Sequence, residues 1–235
     1  SAGINDLGWH AGATVADVNG DRLPDLFVTG YTDVNAPAPG SISGFPTNRL
    51  GVPDRLYLNE GPGRNGRSRF REVAKPAGIE RNGIRHGLGA MFTDVNGDGR
   101  PDLYVANDED PNSLYLNVPW PGGAKADPAG LGFRLEDRGR REGVDDSNAG
   151  MGVAVADYSG DGRQDIFVSN NREQLHALFR STTPDVDDPS DPSFTDARAD
   201  VAAAAGRSTT GWGASWVDLD RDTFLDLVLA DGVIP

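Results

Sequence analysis

Four stretches of the chain place oxygen-bearing side chains at one spacing. Counted from the first aspartate of each, they fall at positions 1, 3, 5 and 9: Asp17, Asn19, Asp21, Asp25; Asp94, Asn96, Asp98, Asp102; Asp157, Ser159, Asp161, Asp165; Asp218, Asp220, Asp222, Asp226. Alternating oxygen donors in a tight loop can converge on one point, and three or four carboxylates held so close repel one another unless a cation sits among them. A hard cation resolves the repulsion. Calcium accepts about 6 to 8 oxygens in flexible geometry, whereas magnesium demands a near-ideal octahedron and keeps its waters, so the expected cofactor is Ca2+, up to four ions. Ordinary Asn/Asp/Gly turns that cap their own backbone are the alternative for any single loop. Four copies with the same spacing, each with an acid at position 9, weigh against it.

An EF-hand begins in the same way but needs a glutamate at position 12, where this chain has Val28, Val105, Val168 and Leu229. EF-hands are therefore excluded. The loops sit inside a longer repeat: AGATVADVNGDRLPDLFVTG from Ala11, LGAMFTDVNGDGRPDLYVAN from Leu88, MGVAVADYSGDGRQDIFVSN from Met151 and WGASWVDLDRDTFLDLVLAD from Trp212 align without a gap. Their first aspartates are 77, 63 and 61 residues apart, which suits one small sheet with its loops rather than a full domain.

The residues that flank each loop must form strands to hold it. Ala13 to Ala16 enters the first loop and Leu26 to Val28 leaves it, with Leu103-Tyr104-Val105, Ile166-Phe167-Val168 and Leu227-Val228-Leu229 as counterparts. Such β-branched and aromatic triplets read as inner strands buried on both faces. Leu56-Tyr57-Leu58-Asn59 recurs as Leu114-Tyr115-Leu116-Asn117 and, degraded, as Leu178-Phe179-Arg180-Ser181. Further stretches begin at Phe70, Phe133 and Phe194 and end near Gly78-Ile79, Gly143-Val144 and Ala205-Gly206. Each unit thus reads as four antiparallel strands, and the insertions Tyr31 to Asp54, Val118 to Gly130 and Ser181 to Ser193 read as loops. The expected fold is all-β: a β-propeller of four-stranded antiparallel blades, about three and a half in this chain, with units at about 8–80, 81–145, 146–207 and 208–235 in a single propeller region spanning 1–235.

Composition limits the function. Against 36 acidic residues stand 22 basic ones, a formal net charge of −14 that repels nucleic acid and anionic membranes. No apolar run is long enough to span a bilayer, and the N-terminus has neither the basic nor the apolar region of a signal peptide, so any targeting segment is expected to be gone already. Zero cysteines exclude disulfides, thiolate zinc sites and a cysteine nucleophile. His10, His86 and His176 show no metalloprotease spacing, His10 and His86 are read as structural, no phosphate-cradling glycine motif follows a strand, and the basic turn from Gly63 to Arg69 is read as solvated. No catalytic residue is assigned. Trp9, Trp212 and Trp216, in or beside the strand repeats, are expected in the core, whereas Trp120, in a loop, is the one candidate for stacking on a sugar ring.

The repeat GLGAMFTDVNGDGRPDLYVAN and its copies resemble FG-GAP/VCBS repeats, the calcium-loop blades of integrin α-subunit β-propellers. With their LYLN and AGI segments they resemble more specifically the cartilage acidic protein and ASPIC/UnbV group of propellers. The resemblance implies Ca2+ held by side chains at positions 1, 3, 5 and 9 and by the carbonyl at position 7, here Leu23, Arg100, Arg163 and Phe224. Position 6 is Gly99 and Gly162 in the second and third loops but Arg22 and Thr223 in the first and fourth, where a positive φ is costly. The second and third sites therefore rank first, the fourth next through its extra carboxylate Asp220, and the first last.

The resemblance implies a secreted or periplasmic interaction module, located at the cell surface, in the periplasm or outside the cell, with structural calcium and a protein or glycan ligand. A structural subunit of a larger complex and, more remotely, a polysaccharide-active enzyme on a propeller scaffold are the alternatives. Nucleic acid and membrane insertion are not expected. Three and a half blades are too few to close a ring, so a seven-bladed propeller completed by another segment or chain is expected. Connections in an up-and-down blade alternate between its two ends, which puts the loops after the second strands opposite calcium and makes Tyr31 to Asp54, Asn107 to Ser113 and Ser169 to Leu175 the expected recognition surface.

Overall fold

The computed structural model describes residues 2–64, 66–79, 81–182, 192–201 and 209–233. Most of the Ser181 to Ser193 insertion and the Ala205-Gly206 end of the third unit lie outside the described residues. The first unit comprises β1 (His10–Ala16), β2 (Asp25–Gly30), β3 (Thr32–Pro37), β4 (Arg49–Gly51), β5 (Arg55–Pro62), β6 (Ser68–Glu72) and the one-turn helix α1 (Ala74–Ala77). The second comprises β7 (Gly87–Thr93), β8 (Asp102–Asn107), β9 (Ser113–Pro119) and β10 (Phe133–Asp137). The third comprises β11 (Gly150–Ala156), β12 (Asp165–Asn170), β13 (Ala177–Ser181), β14 (Phe194–Asp196) and α2 (Arg198–Val201); β15 (Thr210–Val217) and β16 (Asp226–Gly232) follow.

These strands make three antiparallel four-stranded sheets, β1-β2-β5-β6, β7-β8-β9-β10 and β11-β12-β13-β14, and a two-stranded sheet β15-β16. The architecture is all-β and propeller-like. One insertion departs from its reading as a loop: within Tyr31 to Asp54, β3 pairs with β4 in a small sheet of its own, with Thr32 opposite Gly51 and Asp33 opposite Leu50. Its Pro, Gly and Ser content hid a pairing that needs only a few residues on each side.

Each sheet buries one face against the next. Alternation along β8 divides its side chains between two cores: Leu103 and Val105 pack with Phe27, Leu56 and Leu58 of the first unit, while Tyr104 and Ala106 pack with Ile166, Val168 and Phe179 of the third. Phe167 and Leu178 point the other way along the chain, toward Trp216, Leu227 and Leu229. The triplets are therefore buried on both faces wherever a sheet has two neighbours. On the outward face of the first sheet, Val15 is 62% exposed; on that of the fourth, Val217 and Val228 are 38% and 40% exposed.

A second contact repeats at every junction. The first strand of each unit shifts register at its start, between His10 and Ala13, Gly87 and Gly89, Gly150 and Val153, and Gly211 and Gly213. The shift brings the backbone of one first strand against a glycine of the preceding one. A Cβ on Gly12 would lie 2.2 Å from the Leu88 carbonyl oxygen, one on Gly89 2.4 Å from that of Met151, and one on Gly152 2.9 Å from that of Trp212. Side-chain hydroxyls reinforce two junctions: Thr29 Oγ1 donates to the Leu88 carbonyl at 3.3 Å, and Ser169 Oγ donates to the Gly211 carbonyl at 2.9 Å. The fourth glycine of the series, Gly213, has nothing nearer than the Ala230 Cβ at 3.8 Å.

Gly89→Ala should therefore destabilise the protein by about 1–3 kcal/mol, because the added methyl meets backbone that cannot rotate away. Gly213→Ala should stay within about 0.5 kcal/mol. Urea denaturation of the two variants checks the contrast; equal costs would mean that the junction glycines are not in contact.

Candidate metal centres

Each acidic loop joins the first two strands of its unit, closed by the pairs Ala16–Asp25, Thr93–Asp102, Ala156–Asp165 and Val217–Asp226. Position 9 is thus the first residue of the second strand. The four loops share one hydrogen-bond pattern. The position 5 N–H donates to Oδ1 of position 1 at 3.0, 3.1, 2.9 and 3.1 Å in loop order. The position 6 N–H donates to Oδ2 of position 1 at 2.7, 2.8, 2.7 and 3.1 Å. The position 7 N–H donates to Oδ1 of position 5 at 2.8, 2.9, 3.1 and 2.9 Å. These donors fold the backbone around the carboxylates and turn the side chains of positions 1, 3 and 5 to one side.

In the fourth loop one ligand atom each from Asp218, Asp220 and Asp222 lie within 4.8 Å of one another. Three carboxylates that close, with oxygen the only donor type, fit a hard divalent cation. The other loops carry an amide or hydroxyl at position 3, Asn19, Asn96 or Ser159, and so gather fewer charges. In the second and third loops the position 7 side chain supplies a positive charge: the Arg100 guanidinium pairs with Asp98, and Arg163 Nη2 lies 2.7 Å from Asp161 Oδ2. Leu23 and Phe224 offer no such charge in the first and fourth.

The position 9 aspartates have a second task that their spacing does not reveal. Asp102 Oδ2 accepts from Val95 N at 3.1 Å and Oδ1 from Asn117 N at 2.8 Å. Asp25 does the same with Val18 and Asn59, and Asp165 with Ser159 and Ser181. Each of these three carboxylates thereby ties its loop to the third strand, and each is fully buried. Burial pushes Asp102 up to about 7; the N–H groups of Asn117 and Val95 pull down, and the Asp98 and Asp94 carboxylates push further up. Burial likewise raises Asp25 and Asp165 above the usual carboxylate range. Among the described residues Asp226 accepts from the Leu219 N–H, at 3.0 Å, and it is exposed. The residues that sequence reading missed are thus Asn59, Asn117 and Ser181, whose position at the end of each LYLN-type segment was the available signal.

Backbone strain also differs among the loops. Position 6 has positive φ in all four: Arg22 at 69°, Gly99 at 81°, Gly162 at 85° and Thr223 at 78°. Position 4 does too, at Gly20, Gly97, Gly160 and Arg221, so the fourth loop holds two side-chain-bearing residues in a region that favours glycine.

Two expectations for the aromatic residues change. Trp216 is packed, stacked on Tyr158 at 5.4 Å, but Trp9 and Trp212 stand about half exposed at the end opposite the acidic loops, not in the core. Trp120 lies with its ring 5.9 Å from the Arg134 guanidinium. The histidines hold backbone: His10 bonds Asp6 and the Thr29 carbonyl, His86 bonds Asp110 and the Arg49 carbonyl, and His176 Nδ1 accepts from Asn170 N.

With this geometry established, known proteins can be compared. Residues 94–168 match the family described as FG-GAP-like repeat. The matched stretch runs from position 1 of the second loop to position 12 of the third, one full period of the series and the third loop. Over 184 residues, 77% of its length, the chain is 28% identical to cartilage acidic protein 1 of Homo sapiens and of Mus musculus, and 26% identical to that of Xenopus tropicalis. It spans about a quarter of the length of these relatives, 24% or 25%. No helix among the described residues is long and apolar enough to cross a membrane.

The two kinds of aspartate should separate in the presence of a chelator. Asp102→Ala should cost about 2–4 kcal/mol there, because two buried N–H groups lose their acceptor. Asp220→Ala, at an exposed position, should cost less than about 1 kcal/mol. Thermal or urea denaturation in chelator reads both; a similar cost for the two would remove the structural role from position 9.

Proposed function

We propose that the chain is part of a calcium-stabilised β-propeller interaction module that works outside the cytosol, in the periplasm, at the cell surface or in the extracellular space. The observation that carries this reading is the repeated loop: four copies of one N–H and carboxylate arrangement, with positions 1, 3 and 5 facing together. In this reading Ca2+ is held by Asp17, Asn19, Asp21 and Asp25 with the Leu23 carbonyl, and by the matching sets with the Arg100, Arg163 and Phe224 carbonyls. The ion supplies positive charge and the protein supplies the cage. Thirteen carboxylates belong to the four loops, and eight charges from four divalent ions would bring −14 to −6. The relatives' name, cartilage acidic protein 1, agrees with an acid-rich chain but says nothing of what this one binds.

The exposed valines on the two outward faces and the open Gly213 support a longer ring, seven-bladed by family resemblance, in which a further sheet from this polypeptide or another packs on β15-β16. The partner is a protein or a glycan, held by the loops opposite calcium. A structural subunit of a larger assembly is the second reading, favoured by the same outward faces.

Extracellular-type sites with a dissociation constant of about 0.1 mM would each contribute about 1.8 kcal/mol in about 2 mM calcium. The melting temperature should therefore rise steeply between micromolar and millimolar calcium and fall with chelator, with magnesium far less effective. A melting curve indifferent to chelator would reduce the aspartates to turn formers. By titration calorimetry, Asp98→Ala and Asp161→Ala should each abolish one site and cost more metal binding than Asn19→Ala, since charged ligands contribute more than a neutral one; equal loss in all three would contradict the ranking.

A further inference from the structure

At the end of the sheets opposite the acidic loops lies a cavity of about 750 Å3. Leu88 and Met151, each at the register shift of its first strand, line it together with aromatic side chains. Trp9 and Phe45 come from the first unit and Trp212 from the start of β15, 48%, 51% and 49% exposed. Trp9 packs edge-on against Tyr31 at 5.1 Å and tilts against Phe45 at 6.3 Å, so the rings that face the cavity are braced by one another. Asp108 and Glu109 supply its acidic groups, and no lysine or arginine lines it among the described residues. Asp108 is buried and fixed by the Tyr31 hydroxyl, which donates to its Oδ2 at 2.7 Å. His86, beside Tyr31, is engaged by Asp110 through Nδ1 at 2.7 Å.

We propose that this cavity binds a methylated ammonium group, of the quaternary type found in choline, held against the aromatic lining that Trp9, Phe45 and Trp212 contribute and neutralised by Asp108 and Glu109. The proposal rests on the reading above that the loops opposite calcium form the recognition surface. Charge selects a cation: two carboxylates stand against apolar and aromatic surface with no basic side chain in the lining. Shape and chemistry select its kind. Aromatic faces attract a cation through the ring quadrupole, most strongly where water is displaced. A primary ammonium or a guanidinium would bring several N–H donors, of which the two carboxylates could engage some while the apolar remainder of the wall gives the others no acceptor. A methylated ammonium has no donor to satisfy and matches apolar wall and acidic rim together. Burial and the neighbouring Glu109 raise Asp108 above the usual carboxylate range, against the pull of the Tyr31 hydrogen bond, and a resident cation would relieve that strain.

The test is calorimetric titration of the calcium-loaded chain with choline, with its neutral carbon isostere dimethylbutanol, with methylguanidinium and butylammonium, and with N-acetylglucosamine. Choline should bind in the millimolar range or tighter, and dimethylbutanol about tenfold more weakly. Glu109→Gln and Trp9→Ala should each weaken choline by about fivefold or more, while the exposed Lys125→Ala leaves it unchanged. Failure of the wild-type chain to bind choline, equal binding of dimethylbutanol, preference for methylguanidinium or butylammonium, or preference for the sugar would each overturn the proposal. The calcium-dependent melting of the same samples is read separately, so loss of choline binding with that melting intact overturns this site alone.

Discussion

A buried carboxylate shared between two backbone N–H groups holds each complete sheet to its acidic loop. Asp25, Asp102 and Asp165 open their second strands, reach back into the loop with one oxygen and across to the third strand with the other. Without that acceptor the loop would have no fixed attachment and the third strand would leave a donor unpaired in the core. The interaction is costly as well as necessary. Burying the charge drives Asp102 up to about 7, so the loop does best when positive charge stands nearby. Arg100 and Arg163 offer some of it by pairing with position 5.

Much of this was legible in the chain before any coordinates. The acidic spacing located all four loops, and the apolar triplets located the second strands, because both depend on residues adjacent in sequence. What remained hidden depends on residues distant in sequence. The position 9 aspartate reads as a ligand alone, and its second task shows only when Asn59, Asn117 and Ser181 are seen beside it. Trp9 and Trp212 read as core because they border strands, but the register shift at each strand start turns that end toward the rim. Position 6 announced its positive φ through Gly99 and Gly162, whereas the same demand at position 4, obscured by Arg221 in the fourth loop, emerged only from the backbone.

The two ends of the sheets carry different chemistry for a topological reason. Antiparallel strands send the first connection of every unit to one end and the second to the other. The end with the first connections accumulates the acidic loops; the opposite end carries the second connections, the first of which is long and includes β3 and β4, along with the exposed tryptophans. Asp108 and Glu109 stand beside the aromatic groups there.

The glycine-to-carbonyl contact between successive first strands makes each sheet answerable only to its immediate neighbours. Cooperativity in such a stack is nearest-neighbour, like that of repeat arrays, with stability approximated by a sum of unit terms and junction terms. A perturbation in the fourth sheet, which has one neighbour here, is felt at its junction with the third and fades before the first. Amide exchange would then vary along the chain, slowest in β8 and β12, which have a packed sheet on each side, and fastest at the two outward strand pairs.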